Sequence, residues 1–214
     1  MTNLTATADL AHGAGEHVEH YDPVGDKIGF WLFLFTEVLL FGMLFLAFAV
    51  YLNKFTADFR AASADLNVPM GGANTLILLT SSLTMALAIQ RVLLGKKWQS
   101  LFLMALTILC AIAFCVIKYF EWSHKFHLGI YLQSPELAQF ARGQQIFYGL
   151  YYTMTGFHAL HVIVGSILIV VAMVFVAKDK VHKDRITYIE NAGLFWHLVD
   201  LVWIFLFPLF YLIS

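Results

Sequence analysis

The chain has 214 residues, of which 60% are hydrophobic and 13% are charged, and its formal net charge is -1. With a mean hydropathy of +0.76, it is predicted to be an integral membrane protein that forms one helical bundle. The near-neutral charge argues against nucleic acid as a partner. Because Cys110 and Cys115 lie in apolar sequence, neither a disulfide framework nor a thiolate metal site is indicated.

Residues 1–27 are polar and lack the apolar stretch of a secretory signal, so they are predicted to form a surface tail. This tail contains His12, His17 and His20, but neither cysteines nor a rigid scaffold surrounds them. No metal site is therefore predicted in the tail.

Residues 28–214 are predicted to form a single all-α domain, a polytopic membrane bundle. Five apolar runs are long enough to cross a bilayer. They span about residues 28–52, 73–94, 100–120, 147–177 and 191–213. The segment 53–72 is predicted to be a loop.

Lysine and arginine indicate the orientation of this bundle, because short loops rich in them stay on the cytoplasmic side. The tail and the loops after the second and fourth helices contain eight of these residues, and the opposite side contains five. The N-terminus is therefore predicted to be cytoplasmic and the C-terminus periplasmic.

Five ionisable residues lie inside the predicted helices near one depth. A rise of 1.5 Å per residue puts Glu37, His158 and Asp200 roughly 14 to 15 Å from one end of their helices. His161 and His197 lie about one turn further toward the cytoplasmic side. A charged group at the bilayer centre costs about 2.5 to 3.5 kcal/mol, so mutual pairing is the economical arrangement. The predicted buried polar cluster consists of Glu37, His158, His161, His197 and Asp200.

Glu37 is the only polar residue on its own helix face, and burial favours the neutral form of a carboxyl. We expect it to be protonated and hydrogen-bonded to His158 or His161. Paired histidines could instead ligate haem, as in membrane cytochromes b, although the carboxyls then have no role. A transporter would need broken helices or paired halves, which do not occur in the sequence.

Three segments together resemble subunit III of haem-copper terminal oxidases. They are residues 30–41 (FWLFLFTEVLLF), 155–165 (TGFHALHVIVG) and 195–206 (FWHLVDLVWIFL). Larger members of that family have seven helices and a lipid-filled cleft, so five helices resemble the short bacterial forms. A second subunit would then have to complete such a cleft.

The resemblance implies subunit III of a respiratory cytochrome c oxidase in a bacterial cytoplasmic membrane. Such a subunit is a non-catalytic scaffold that stabilises subunit I, holds phospholipid and supports proton uptake. Haem and copper would then reside in subunits I and II, with no catalytic residue, metal or redox centre here. Lipid contact is expected at Trp31, Trp196 and Trp203.

Other members of the superfamily remain as alternatives at this stage. They are subunit III of a quinol oxidase, an accessory subunit of a nitric oxide reductase and, further away, a membrane cytochrome b. Glutamate rather than aspartate at position 37 favours the cytochrome c type by resemblance.

Overall fold

A computed structural model describes residues 23–132, 134–179 and 186–213, without the side chains of Pro23, Val24 and Asp26. The predicted tail up to residue 22 lies outside the described residues. So do Lys180, Lys183 and Arg185, which contribute to the charge count above.

The described residues form six α-helices and a short 3-10 turn, Leu137–Gln139, and contain no strand. All helices but the second are long and apolar enough to cross a membrane. The predicted all-α bundle of five membrane helices is confirmed. The helices are α1 (Pro23–Lys54), α2 (Thr56–Ala64), α3 (Val68–Leu93), α4 (Lys97–His127), α5 (Arg142–Ala177) and α6 (Thr187–Tyr211).

The segment 53–72, expected to be a loop, contains α2 and the start of α3. Helix α2 is rich in alanine, the strongest helix former, and buries Phe59 and Ala62 against the bundle. Asn67 caps α3, because its side-chain oxygen accepts a hydrogen bond from the Met70 amide at 3.1 Å. Proline in the first turn of α3 suits a helix start as well.

Successive membrane helices run antiparallel. Helices α3 and α4 form a hairpin around Gly95, whose φ of +68° favours glycine. Ser100 donates to the carbonyl of Ala88 at 2.9 Å, and the hydroxyls of Thr84 and Thr107 lie 2.7 Å apart. We call the end of the bundle at which α1 begins the proximal end and the opposite end the distal end.

Helix α1 packs beside α6 through contacts between phenylalanine rings. Ring centroids of Phe33 and Phe195 lie 5.9 Å apart near the proximal end, and those of Phe48 and Phe210 lie 5.0 Å apart near the distal end. Residue numbers rise together along both helices, so α1 and α6 are parallel. The first and last membrane helices are therefore neighbours.

Helices α5 and α6 approach closely at Gly165. A methyl group at this glycine would lie 2.8 Å from Cε3 of the fully buried Trp196. Only a glycine leaves room for the indole there. This contact fixes the depth of the α5 histidines relative to α6.

Candidate functional site

Glu37 of α1 is bonded to His161 of α5. Glu37 Oε2 and His161 Nε2 lie 2.7 Å apart, and the two side chains are 15% and 14% exposed. The Phe41 ring, one turn along α1, meets the imidazole edge-on at 5.2 Å. This bond joins Glu37 to a histidine of the predicted fourth helix, which is the kind of partner expected from the sequence.

The second nitrogen of His161 defines the proton content of this pair. Nδ1 lies 2.6 Å from the carbonyl oxygen of Phe157. A carbonyl only accepts, so Nδ1 must carry a hydrogen and donate it. The bond between Nε2 and Glu37 then contains one proton, and the pair is neutral overall whichever atom holds that proton.

His197 and Asp200 of α6 face α3 rather than α1. His197 Nδ1 lies 2.7 Å from the hydroxyl of Ser82. Asp200 is 3% exposed, and its polar neighbours are the hydroxyls of Ser81 and Ser82, although neither oxygen has a direct hydrogen-bond partner among the described residues. These two residues form a separate polar group at the α3–α6 contact.

His158 of α5 is fully buried between aromatic rings. Its centroid lies 5.4 Å from that of Phe114 on α4 and 5.1 Å from that of Trp203 on α6. Neither ring nitrogen has a hydrogen-bond partner among the described residues. The five residues expected to form one cluster thus occupy three places around the bundle.

A second ionic group, not selected from the sequence, lies in the distal half. Lys118 of α4 donates to Glu121 Oε2 at 3.0 Å and to the hydroxyls of Tyr151 and Tyr211 at 3.1 and 3.0 Å. Both hydroxyls donate in turn to Glu121 Oε1, at 2.8 and 2.5 Å. Every donor of the ammonium is used, and the network joins α4, α5 and α6.

Lys125 continues this polar stripe one turn further along α4. Its ammonium donates to the backbone carbonyl of Asp65 at 2.8 Å, and the hydroxyl of Tyr148 donates to the carboxylate of the same residue at 3.3 Å. The distal end of α4 is thereby tied to the segment between α2 and α3.

The spacing of Lys118, Glu121 and Lys125 could have revealed this network. Positions i, i+3 and i+7 share one helix face, and here they alternate in charge. The predicted third helix ends at about residue 120, so it includes Lys118 but leaves Glu121 and Lys125 in a polar loop. Helix α4 instead continues to His127, because its charges are paired inside the bundle.

Comparison with known proteins agrees with this architecture. The family model of cytochrome c oxidase subunit III matches residues 4–214. The chain therefore belongs to the cytochrome c oxidase subunit III family.

Curated relatives of this subunit III chain have different electron donors in their names. The cytochrome bo(3) ubiquinol oxidase subunit 3 of Pseudomonas aeruginosa is 30% identical over 95% of this chain and 93% of its own length. The cytochrome c oxidase subunit 3 of Alkalihalophilus pseudofirmus is 30% identical over 99% and 98%. The heme-copper oxidase subunit I+III of Aeropyrum pernix is 31% identical over 92% of this chain and 24% of its own length.

The described residues of this subunit III chain contain no group of three or more His, Cys, Asp or Glu suited to a metal ion. Both ring nitrogens of His161 are bonded to protein groups, and aromatic rings enclose His158. These two histidines therefore do not present ligands to a haem.

The three tryptophans expected to contact lipid differ in exposure. Trp31 is 60% exposed on α1, whereas Trp196 and Trp203 are fully buried. Their indole N–H groups donate to Ser81 and Thr75 of α3, each at 3.1 Å. Trp196 and Trp203 thus contact α3 in place of lipid, and Trp31 remains available to a lipid.

Proposed function

We propose that this chain is the cofactor-free scaffold subunit of a proton-pumping cytochrome c oxidase in a bacterial cytoplasmic membrane. Oxygen reduction and electron entry take place on subunits I and II, which carry the haem and copper. The chain stabilises subunit I, retains phospholipid and supports proton uptake during turnover.

The observation that carries this proposal is that the buried polar groups bond neighbouring helices to one another. Glu37 and His161 join α1 to α5, His197 and Ser82 join α6 to α3, and the Lys118 network joins α4, α5 and α6. In a membrane, such bonds hold helices together. A bundle whose buried polar groups bond one helix to another suits a supporting role.

The fused relative supports the choice of partner. In Aeropyrum pernix, the matching sequence is part of one chain named heme-copper oxidase subunit I+III. A fusion keeps two subunits at one stoichiometry, so contact between the corresponding separate subunits is the natural arrangement in the complex proposed here.

Affinity purification through a tag on this chain tests the assignment. We expect subunits I and II to co-purify, with a haem difference spectrum and oxygen consumption supported by reduced cytochrome c. An oxidase purified from a strain lacking the chain should begin turnover near the normal rate and lose activity sooner. Purification of the chain alone, or unchanged endurance of the depleted oxidase, would contradict the scaffold role.

A quinol oxidase is the second candidate, and the Pseudomonas aeruginosa relative is the observation that favours it. The same purified complex distinguishes the two donors. Oxygen consumption with a reduced quinol, but not with reduced cytochrome c, would replace the first assignment and leave the scaffold role intact.

Phospholipid is proposed to bind at the proximal end, in an open pocket of about 430 Å³ between α1, α3 and α6. Its lining includes Lys27, Trp31, Glu190 and His197. An exposed indole beside an ammonium suits the headgroup region. Lipid mass spectrometry of the complex should show fewer bound phospholipids for Trp31→Ala than for Trp98→Ala, since Trp98 is also exposed but lies outside this pocket.

A further inference from the structure

Two fully buried polar side chains near the middle of the bundle have no hydrogen-bond partner among the described residues. They are Asn74 of α3, through both amide atoms, and His158 of α5, through both ring nitrogens. An unsatisfied buried group costs about 1 to 3 kcal/mol. Native proteins meet such groups with ordered water wherever space allows.

Helix register brings these two residues to neighbouring depths. The contacts of Ala88 with Ser100 and of Thr84 with Thr107 extend along the α3–α4 hairpin to place Asn74 opposite residues 114–118 of α4. The Phe114 ring touches His158. Asn74 and His158 therefore lie within about one helical turn, 5.4 Å, in depth.

Trp203 of α6 lies close both to His158 and to the part of α3 that contains Asn74. Its ring lies 5.1 Å from the His158 ring, and its indole N–H bonds Thr75, the residue after Asn74. The Lys118 ammonium lies 5.1 Å from the ring centroid of the same indole. The unpartnered groups thus border the Lys118 network.

The network in turn borders the distal surface. Glu121 lines a pocket of about 460 Å³ with Lys125 as a second buried charge. The exposed residues Asp65, Asn67 and His124 also line it. Polar groups therefore follow one another from the distal surface to Lys118, and the Trp203 indole lies between Lys118 and His158.

We propose that a chain of exchangeable water molecules, called the water branch below, runs from this distal pocket, past Glu121 and Lys118, to Asn74 and His158. Water suits these groups because a neutral imidazole and an amide each need both a donor and an acceptor. A cation would be repelled by Lys118, and an anion would face a network whose charges are already paired. The branch gives His158 proton exchange with the distal aqueous phase, independently of the scaffold role.

X-ray radiolytic labelling of the intact oxidase after mixing with H₂¹⁸O tests this branch. Bound water converts to hydroxyl radicals in place, so it labels neighbouring side chains even when they are buried. Trp203 should gain ¹⁸O several-fold faster than Trp196, a matched control that is equally buried on the same helix. Equal ¹⁸O labelling of Trp203 and Trp196 would overturn the proposal. Incorporation of ¹⁶O at Trp203 would show that the water beside it does not exchange, which would overturn a branch open to the distal pocket.

Variants locate the water and its entrance. Asn74→Leu should lower Trp203 labelling to the level of Trp196, whereas Ser166→Ala, which removes a hydroxyl bonded within α5, should leave it unchanged. Met70→Trp, which fills the distal pocket, should delay ¹⁸O at Trp203, and Leu194→Trp in the proximal pocket should not. The reverse pattern would overturn the distal route. The wild-type comparison of the two tryptophans needs no variant to fold.

Discussion

At the scale of single residues, the pair of Glu37 and His161 shows how a carboxyl is accommodated near the bilayer centre. Since His161 Nδ1 donates to the Phe157 carbonyl, one proton is left for the bond to Glu37. Mutual neutralisation removes the cost of about 2.5 to 3.5 kcal/mol that a lone charge would carry there. The bond therefore stabilises the position of α1 without leaving a net charge.

Replacement of Glu37 by glutamine should lower the stability of the complex only slightly. Its amide N–H can donate to His161 Nε2, whereas Glu37→Ala leaves that nitrogen unpaired and should cost about 1 to 3 kcal/mol. Retention of the chain in the purified oxidase and its thermal denaturation midpoint would measure this difference. Thr36→Ala, the neighbouring exposed position whose hydroxyl bonds only within α1, is the control.

If Glu37→Gln is lost from the complex as readily as Glu37→Ala, an amide does not substitute for the carboxyl, and the expected tolerance of glutamine is wrong. If the Gln variant is retained and only proton uptake fails, Glu37 transfers protons instead of holding helices together.

The sequence could predict the depth of these residues but not their partners. Depth follows from 1.5 Å of rise per residue, which puts Glu37 and His161 within about one turn of each other. The neighbours of each helix depend on packing around the bundle. His197 therefore faces Ser82 of α3, a contact 115 residues apart in the chain that no periodicity reveals.

At the scale of helices, α4 shows that a charged stripe can lie inside a membrane bundle. Lys118, Glu121 and Lys125 are each about 95% buried. Their helix periodicity is visible in the sequence, but charged residues ordinarily mark the end of a membrane span. The partners that make burial tolerable, Tyr151 and Tyr211, come from two other helices.

Removing one charge of the Lys118–Glu121 pair should lower the stability of the complex more than removing both charges. Lys118→Met leaves the Glu121 carboxylate buried without a counter-charge, at a cost of about 3 to 5 kcal/mol. The double variant Lys118→Met with Glu121→Gln should recover part of this loss. Thermal denaturation of the purified complex would measure both.

The exposed pair of Lys97 and Asp179 is a suitable control for that experiment. Their side chains are 31% and 77% exposed, so Lys97→Met should change stability by about 1 kcal/mol or less. A double variant of the network that is as unstable as the sum of its single changes would show that Lys118 and Glu121 do not act as a pair.

Gly165 of α5 should not tolerate a larger residue. In Gly165→Ala, the new methyl group overlaps the buried Trp196 ring, and overpacking of this kind costs about 1 to 3 kcal/mol. Gly156→Ala, on the same helix, meets Trp122 only at 3.6 Å and should be tolerated. Equal retention of both variants in the complex would show that α5 and α6 can separate at Gly165.

At the scale of the whole molecule, the structure sharpens the charge argument for orientation. Two of the five basic residues counted on the distal side, Lys118 and Lys125, are buried and paired within the bundle. They do not act as free loop charges. The proposed cytoplasmic location of the proximal end therefore gains support from the remaining surface residues.

Single cysteines in a variant lacking Cys110 and Cys115 would test this orientation. A membrane-impermeant maleimide added to intact spheroplasts should label Gln139→Cys at the distal end and leave Lys178→Cys unlabelled until the membrane is opened. Labelling of Lys178→Cys from outside would reverse the proposed topology.

Much of the overall architecture could be predicted, because membrane helices leave a strong signal in hydropathy. The five spans follow from it directly. Helix α2 was missed because its nine residues are mostly small or polar, and only contacts with the bundle bury Phe59. The order of helices around the bundle, with α1 parallel to α6, is not encoded in any local pattern.

The pairing of the first helix with late parts of the chain also affects its synthesis. The bond between Glu37 and His161 cannot form until His161, which lies 124 residues later, has been synthesised. At about 5 to 20 residues per second, a ribosome needs roughly 6 to 25 seconds to supply this partner. During that interval Glu37 has no histidine partner, so its carboxyl has to be neutral in the lipid or be shielded by the insertion machinery. Biogenesis of this protein therefore includes a delay that is not visible in the folded structure.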